Sequence, residues 1–289
     1  MMILDDHGAP VWYKRVLLGA HESDGDPQVL NFQRRVDGTL LVSEIGNRYG
    51  IPSDDLLHRI SDLDGDLVEA RGLGTYQQLK PSDPPTLTPE EFRDAFPIDH
   101  HDYADLPGGG YALVSYPLRQ NVDLSALGEG FGTADSVLDG VILEFDSNGD
   151  LDWTWNTKDH FPEDFASFPQ RLGTLPGWPQ RYPEVVAPGG EVDTVHINSF
   201  QKLPDGDYVV SARHYDAVFR VDHQSGNVEW VLGGKQDLLP QSMRTKVVGD
   251  DFEGVLRPHD ARLDGNLLTV FDNRTGTNDP ARAVTYEIQ

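Results

Sequence analysis

A strand-turn-strand pattern recurs along this chain, and such a repeat restricts the fold more than any single motif does. VLNFQRRVDGTLLVSE, IDHHDYADLPGGGYALVSY, DTVHINSFQKLPDGDYVVSAR and RPHDARLDGNLLTVFDN each carry apolar runs on both sides of a Gly-containing turn. A second hairpin follows the first three copies, as LLHRISDLDGDLVEARG, VILEFDSNGDLDWTWN and AVFRVDHQSGNVEWVLGG. Asn148-Gly149 and Ser225-Gly226 are favoured residues for its turn. Each unit is therefore four strands in roughly forty residues, the size and content of a propeller blade, which buries its faces only by stacking on neighbours.

The repeat predicts an all-β chain. It is read as a β-propeller of four-stranded blades, six-bladed with five as the alternative, in one domain over 1–289. The last copy stops at AVTYEIQ, a third strand without a fourth, and the N-terminal MMILDD, His-Gly turn and APVWYKRV supply a hairpin. Pairing the N- and C-terminal strands in one blade would close the ring and remove an open edge. The count of clear copies also leaves room for strands hidden in the insertions, at about 74–97 and 157–192. The first insertion holds a short helical signal, TPEEFRDAF, with Thr88 as cap. Loops of this length are usually functional, so both are expected to wall a site. Val218, Arg220 and Asp222 alternate with Phe219 and Val221 as in a strand with one buried face. Trp12, Trp153, Trp155 and Trp230, on outer strands, are expected to pack between neighbouring blades.

Three copies begin with a histidine: His101, His196 and His259 precede the turn glycines Gly109, Gly206 and Gly265 by eight, ten and six residues. Even offsets on alternating strands are compatible with three imidazoles facing one way, unless a bulge intervenes. In a propeller the first strand of each blade lines the central channel, so these histidines would meet there, joined by Asn198 and by Arg213 and His214. Imidazoles with a guanidinium offer donors for a tetrahedral oxyanion and, in a neutral imidazole, a nucleophile. Such a nucleophile needs its other ring nitrogen on a carboxylate or carbonyl.

Composition removes several alternatives. The net charge of -25, with 35 Asp and 13 Glu against 6 Lys and 17 Arg, argues against nucleic-acid or anionic-membrane surfaces. It suggests the solvated acidic surface of a protein working in high salt, with an ordinary acidic protein as the alternative. There is no cysteine, so thiolate catalysis, disulfides and Cys-ligated zinc are excluded. No apolar run is long enough to span a membrane. MMILDDHGAP shows no secretory signal, which makes a cytoplasmic location the default and export the alternative if upstream sequence is lost.

A His-x-Asn-Ser at 196–199, a Ser-x-Arg-His at 211–214 and a His-Asp at 259–260 before Phe271-Asp272-Asn273 form an ordered signature. Together with HHD followed by LPGGGY, and a weaker Gly-x-Pro-Val-Trp near the start, this resembles the arylsulfotransferase family of PAPS-independent aryl-sulfate sulfotransferases on a six-bladed propeller. The resemblance implies ping-pong transfer of a sulfuryl group from a phenolic sulfate ester to a phenol, with no metal and no cofactor. His259 matches the family's nucleophile, and His196, Arg213 and His101 its sulfuryl-binding residues. Asn198 matches the motif asparagine, and His100, His214 and Asn273 join it as substrate-binding candidates. The implied partners are an aryl sulfate and a phenol, and the oligomeric state is left open. A hydrolase on the same site, and a propeller that only binds an anion or a partner, are the competing readings. Departures from the family are the short chain, the missing cysteine pair and the absent export signal. DLDGD and DSNGD read as hairpin turns and not calcium loops, the glycines at 108–110 are no phosphate loop, and His7, His58, His160 and His223 read as surface or turn residues.

Overall fold

The protein is described here by a computed structural model covering residues 2–4, 7, 10–13, 28–35, 38–45, 56–61, 67–72, 98–172, 190–252 and 254–289. It is all-β: among the described residues there are only strands, turns and single 3-10 turns. The hairpin β1 (Met2–Leu4) and β2 (Pro10–Tyr13) comes first, then the antiparallel meander β3 (Gln28–Arg34), β4 (Leu40–Ile45), β5 (Leu56–Ser61) and β6 (Leu67–Gly72). The next stretch contains β7 (Ile98–Asp105), β8 (Tyr111–Ser115), β9 (Leu118–Val122), β10 (Asp135–Leu138), β11 (Val141–Phe145), β12 (Leu151–Asn156), β13 (Gln170–Arg171) and β14 (Val192–Asp193). It folds as two sheets, ordered β12-β11-β8-β7 and β13-β14-β10-β9. The meander β15 (Ile197–Lys202), β16 (Tyr208–Ala212), β17 (Ala217–Val221) and β18 (Val228–Gly233) follows, and β19 (Pro258–Asp264), β20 (Leu267–Asp272) and β21 (Arg282–Glu287) end the chain.

The repeats map onto these sheets copy by copy, and the structure bears on four expectations. First, among the described residues β1 pairs with β2 and β21 with β20, so the expected joint terminal sheet is not formed there. Second, the 157–192 insertion does hold strands: β14 pairs parallel with β10 and antiparallel with β13, building a sheet outside the repeat pattern. Third, β17 buries both faces. Phe219 and Val221 enter one core cluster while Val218 enters another, because this sheet is packed between two others. Fourth, β3, β7, β15 and β19 all carry a register shift near their starts, so counting in twos from the turn does not set which way a side chain faces. The TPEEFRDAF helix and the 74–97 insertion lie outside the described residues.

Packing between sheets follows the aromatic residues. Trp155 donates from Nε1 to Gly226 O at 2.8 Å and lies 5.6 Å from the Phe219 ring, and Trp153 stacks on Tyr208 at 5.5 Å. Both sit on β12 and bury against the β15–β18 sheet, as expected, and Trp230 packs against the cluster shared with β19–β21. The Trp12 side chain is outside the described residues.

The first strands of four sheets converge on one buried carboxylate, Asp102 in β7. Its oxygens accept from Gln33 Nε2 of β3 at 2.6 Å, Phe200 N of β15 at 2.9 Å and Arg262 Nη2 of β19 at 3.1 Å. Burial raises its pKa, and the Arg262 charge opposes that. Side chains continue the join between β15 and β19: Ser199 Oγ accepts from Ala261 N at 3.0 Å, and Gln201 Oε1 from Leu263 N at 2.6 Å.

Candidate active site

Just before β15 the chain turns through a left-handed residue, His196, with φ 54°. Asp216, Arg257 and Asp260 are left-handed too, at φ 53°, 50° and 49°. Each such residue costs on the order of 1 kcal/mol, and clustering of this strain marks functional sites. The turn Arg213–Tyr215 is pinned to the His196 segment by backbone bonds from Arg213 N to His196 O at 2.9 Å and from His214 N to Val195 O at 2.9 Å. These bonds place three expected residues together, His196, Arg213 and His214. The His196 ring lies 4.8 Å from that of His101 and 4.7 Å from that of His214.

Each imidazole is held from Nδ1. His196 Nδ1 is 2.7 Å from Asp193 Oδ2, and His101 Nδ1 bonds Asp99 Oδ1. His214 Nδ1 donates to Asp193 O at 2.8 Å, and its Nε2 accepts from Arg213 Nη1 at 2.7 Å. His259 Nδ1 donates to Arg257 O at 2.9 Å. That carbonyl is the acceptor expected for a nucleophilic imidazole: it puts the proton on Nδ1 and leaves the lone pair on Nε2.

Electrostatics favour the neutral ring. Burial brings the His259 pKa down to about 4; the Arg257 carbonyl opposes this, while His101, Arg213 and His214 push the same way. Burial brings His196 down to about 3 against the pull of Asp193. Burial alone would raise Asp193, but His214 and His196 outweigh it and hold this carboxyl well below its ordinary range. Burial lowers the Arg213 pKa, with the charge of Arg257 adding to the effect and Asp193 opposing it.

Other expected residues take different positions. Asn198 donates from Nδ2 to Pro258 O at 2.8 Å, so its amide holds the His259 segment. The hydrogen bond of Asn273 is local, its Oδ1 accepting from Thr275 Oγ1 at 2.5 Å. His100 lies in β7 with its side chain outside the described residues, as does that of His58. His160 and His223 lie in turns, as expected, and are partly buried: the His160 ring stacks on Trp155 at 4.9 Å, and His223 Nε2 lies 3.1 Å from Glu144 Oε2.

Sequence reasoning passed over Asp99, Asp193, Arg257 and Phe168. A usable signal existed for the acids, since each stands two or three residues before its histidine. Phe168, in the 157–192 insertion, had none. Its N–H donates to His214 O at 3.0 Å, and both guanidiniums lie over its ring, Arg257 Cζ at 4.2 Å and Arg213 Cζ at 5.4 Å. This part of the insertion is thus a wall of the site.

Asp193, His196 and His214 each bring a potential metal-ligand atom within 4.8 Å of the others. Asp193 Oδ2 and His196 Nδ1 are paired with each other and both nitrogens of His214 have partners, while Asp193 Oδ1 stands 3.4 Å from His214 Nδ1. Asp207, Asp222 and Glu229 also group, and Arg220 bonds Asp207 at 2.7 Å and Glu229 at 2.9 Å.

The fold and the site define an all-β protein whose sheets bring histidines and arginines together, with the His259 imidazole held from Nδ1 by a backbone carbonyl. The arylsulfotransferase (ASST) family pattern matches residues 1–288, and the chain belongs to that family. No curated protein matches it. Among solved structures, the crystal structure of a protein of unknown function from Bacteroides caccae is similar with a TM-score of 0.42 and 14% identity, over 99% of this chain and 85% of that one. A likeness at that level carries no argument.

Proposed function

We propose that this protein moves a sulfuryl group from an aryl sulfate to a phenol, without PAPS, through a sulfohistidine at His259. The observation that carries the proposal is the Nδ1 bond from His259 to the Arg257 carbonyl, beside His101, Arg213 and His214. In the first half-reaction the Nε2 lone pair attacks sulfur, and the bond from sulfur to the aryl oxygen breaks with its electrons leaving on a phenolate. In the second, an acceptor phenol loses its proton, its oxygen attacks sulfur, and the N–S bond returns its electrons to Nε2. Sulfuryl transfer resembles phosphoryl transfer in concentrating charge on equatorial oxygens, which fixed donors stabilise.

The hydrogen bonds divide the labour further. With Nδ1–H directed at a carboxylate, neutral His101 and His196 have no N–H at Nε2, so Arg213 is the standing donor to the sulfuryl oxygens. With its Nδ1 held by Asp99, His101 suits the taking and returning of the phenolic proton at Nε2. The sheets, with first strands meeting at Asp102, fit the blades of a propeller whose channel mouth holds this cluster.

Incubation with 4-nitrophenyl sulfate, with and without phenol, tests the proposal. Nitrophenol release that depends on phenol, and a sulfuryl adduct mapped to His259 when phenol is withheld, are expected. Release that does not depend on phenol makes the protein a hydrolase, and tight binding without release makes it a binding protein.

A further inference from the structure

The reaction proposed above uses one guanidinium, and the site holds two. Arg213 spends its Nη1 on His214, and its charge is among those that bear on the His259 ring. Arg257 is arranged differently. Its peptide is occupied at both ends, with N donating to Asp216 Oδ1 at 2.7 Å and O accepting from His259. Its side chain is only 13% exposed, yet among the described residues the guanidinium makes no hydrogen bond, and the buried Nε has no partner. The nearest carboxylate, Asp216, stands 3.9 Å from Nε, beyond hydrogen-bond reach, and its Oδ1 already accepts from the Arg257 peptide. The guanidinium lies instead against the half-buried ring of Phe168, closer than Arg213 does.

A buried guanidinium with unspent N–H groups is costly unless an acceptor arrives, and Arg is suited to carboxylates and sulfates because its planar fork binds two oxygens at once. Its place is on the insertion wall, beside the Arg213 and His259 cluster where the sulfur would sit.

We propose that Arg257 is a second anion-binding group of the site, which selects aryl sulfates and phenols bearing a further anionic substituent, such as a ring carboxylate. This rests on the sulfuryl-transfer reading, which supplies the aryl group. Because the tether to His259 uses only the Arg257 peptide, a side-chain substitution leaves that tether in place.

The test compares 4-nitrophenyl sulfate with 4-sulfooxybenzoate as donors, in the wild type, Arg257→Gln and Arg257→Lys. Wild type is expected to favour the carboxylate donor by about tenfold or more in kcat/KM, the worth of one charge-assisted contact. Arg257→Gln is expected to remove that preference through KM, with a smaller loss on 4-nitrophenyl sulfate, and Arg257→Lys to keep part of it. Equal loss on both donors, or no preference in the wild type, overturns the proposal. Titration calorimetry with 4-hydroxybenzoate and with phenol separates its failure from that of the sulfuryl-transfer reading. If neither sulfate ester turns over, tighter binding of 4-hydroxybenzoate that Arg257→Gln abolishes still supports the second anion site, and equal affinities sink it. Unfolding midpoints of the variants show whether a loss comes from the fold, and Arg257→Lys decides if Arg257→Gln is unstable.

Discussion

In the proposed reaction His259 and Arg213 have separable jobs, and substitution should separate them. His259→Ala removes the nucleophile and is expected to abolish phenol-dependent release and the sulfuryl adduct together; full activity in this variant ends the mechanism. Arg213→Ala leaves the nucleophile but removes the standing donor, and a fall in kcat of about 100- to 1000-fold is expected. The depressed histidine pKa values set a pH dependence of sign opposite to that of a salt-bridged histidine. Between its folded value of about 4 and the ordinary 6.5, His259 stays neutral when folded and binds a proton when unfolded. His196, brought to about 3, extends the lower limit. Their contribution to stability is therefore complete above pH 6.5 and is lost as pH falls towards 4 and then 3. Urea unfolding across pH 3 to 8 should show that slope, and His259→Gln should flatten it. The rate of the first half-reaction, which needs the neutral ring, should fall as pH drops through about 4.

At the scale of elements, the functional residues lie where regular strands stop being regular. The register shifts in β7, β15 and β19 and the left-handed His196 and Asp260 turn imidazoles towards each other that an unbroken pleat would not. The bulges therefore overrule even spacing as the reason for grouping His101, His196 and His259. The ring contact joins His101, within the first strand β7, to His196, just before the first strand β15, and the repeat did reveal those strands. The segment carrying His196 also depends on a close approach from the β10–β11 bend. A Cβ on Gly140 would stand 2.9 Å from Val195 Cγ1 and 3.0 Å from Ile197 Cδ1, both fully packed. Gly140→Ala is expected to cost about 1 to 3 kcal/mol in urea unfolding. Because the displaced residues flank His196, kcat should fall with it, whereas an unchanged midpoint would show that the bend has room.

For the whole molecule, sheets with few backbone bonds between them are joined through Asp102. Asp102→Ala strands the Phe200 N–H, the Gln33 amide and part of the Arg262 guanidinium, and a loss on the order of 3 kcal/mol is expected, read as a lower unfolding midpoint. The net charge of -25 acts over the same scale. Raising salt from about 0.1 M to about 1 M shortens the screening length from roughly 10 Å to roughly 3 Å, so the melting temperature should rise. A falling melting temperature would show that ion pairs such as Arg282–Asp250 outweigh the repulsion.

The sequence by itself determined the strands, their turns, the four-stranded unit and the residue types of the site. Alternation, Gly-containing turns and His-bearing strand starts are local properties that a few neighbouring residues settle. Only the tertiary structure decided that, among the described residues, the terminal strands lie in separate sheets, that β17 is buried on both faces, that Asn198 braces the His259 segment and that Arg257 and Phe168 line the candidate site. Those outcomes depend on bulges and on bonds between residues far apart in the chain, such as Phe168 with His214 and Asn198 with Pro258. Their partners are chosen by how sheets pack, and no local pattern encodes that choice.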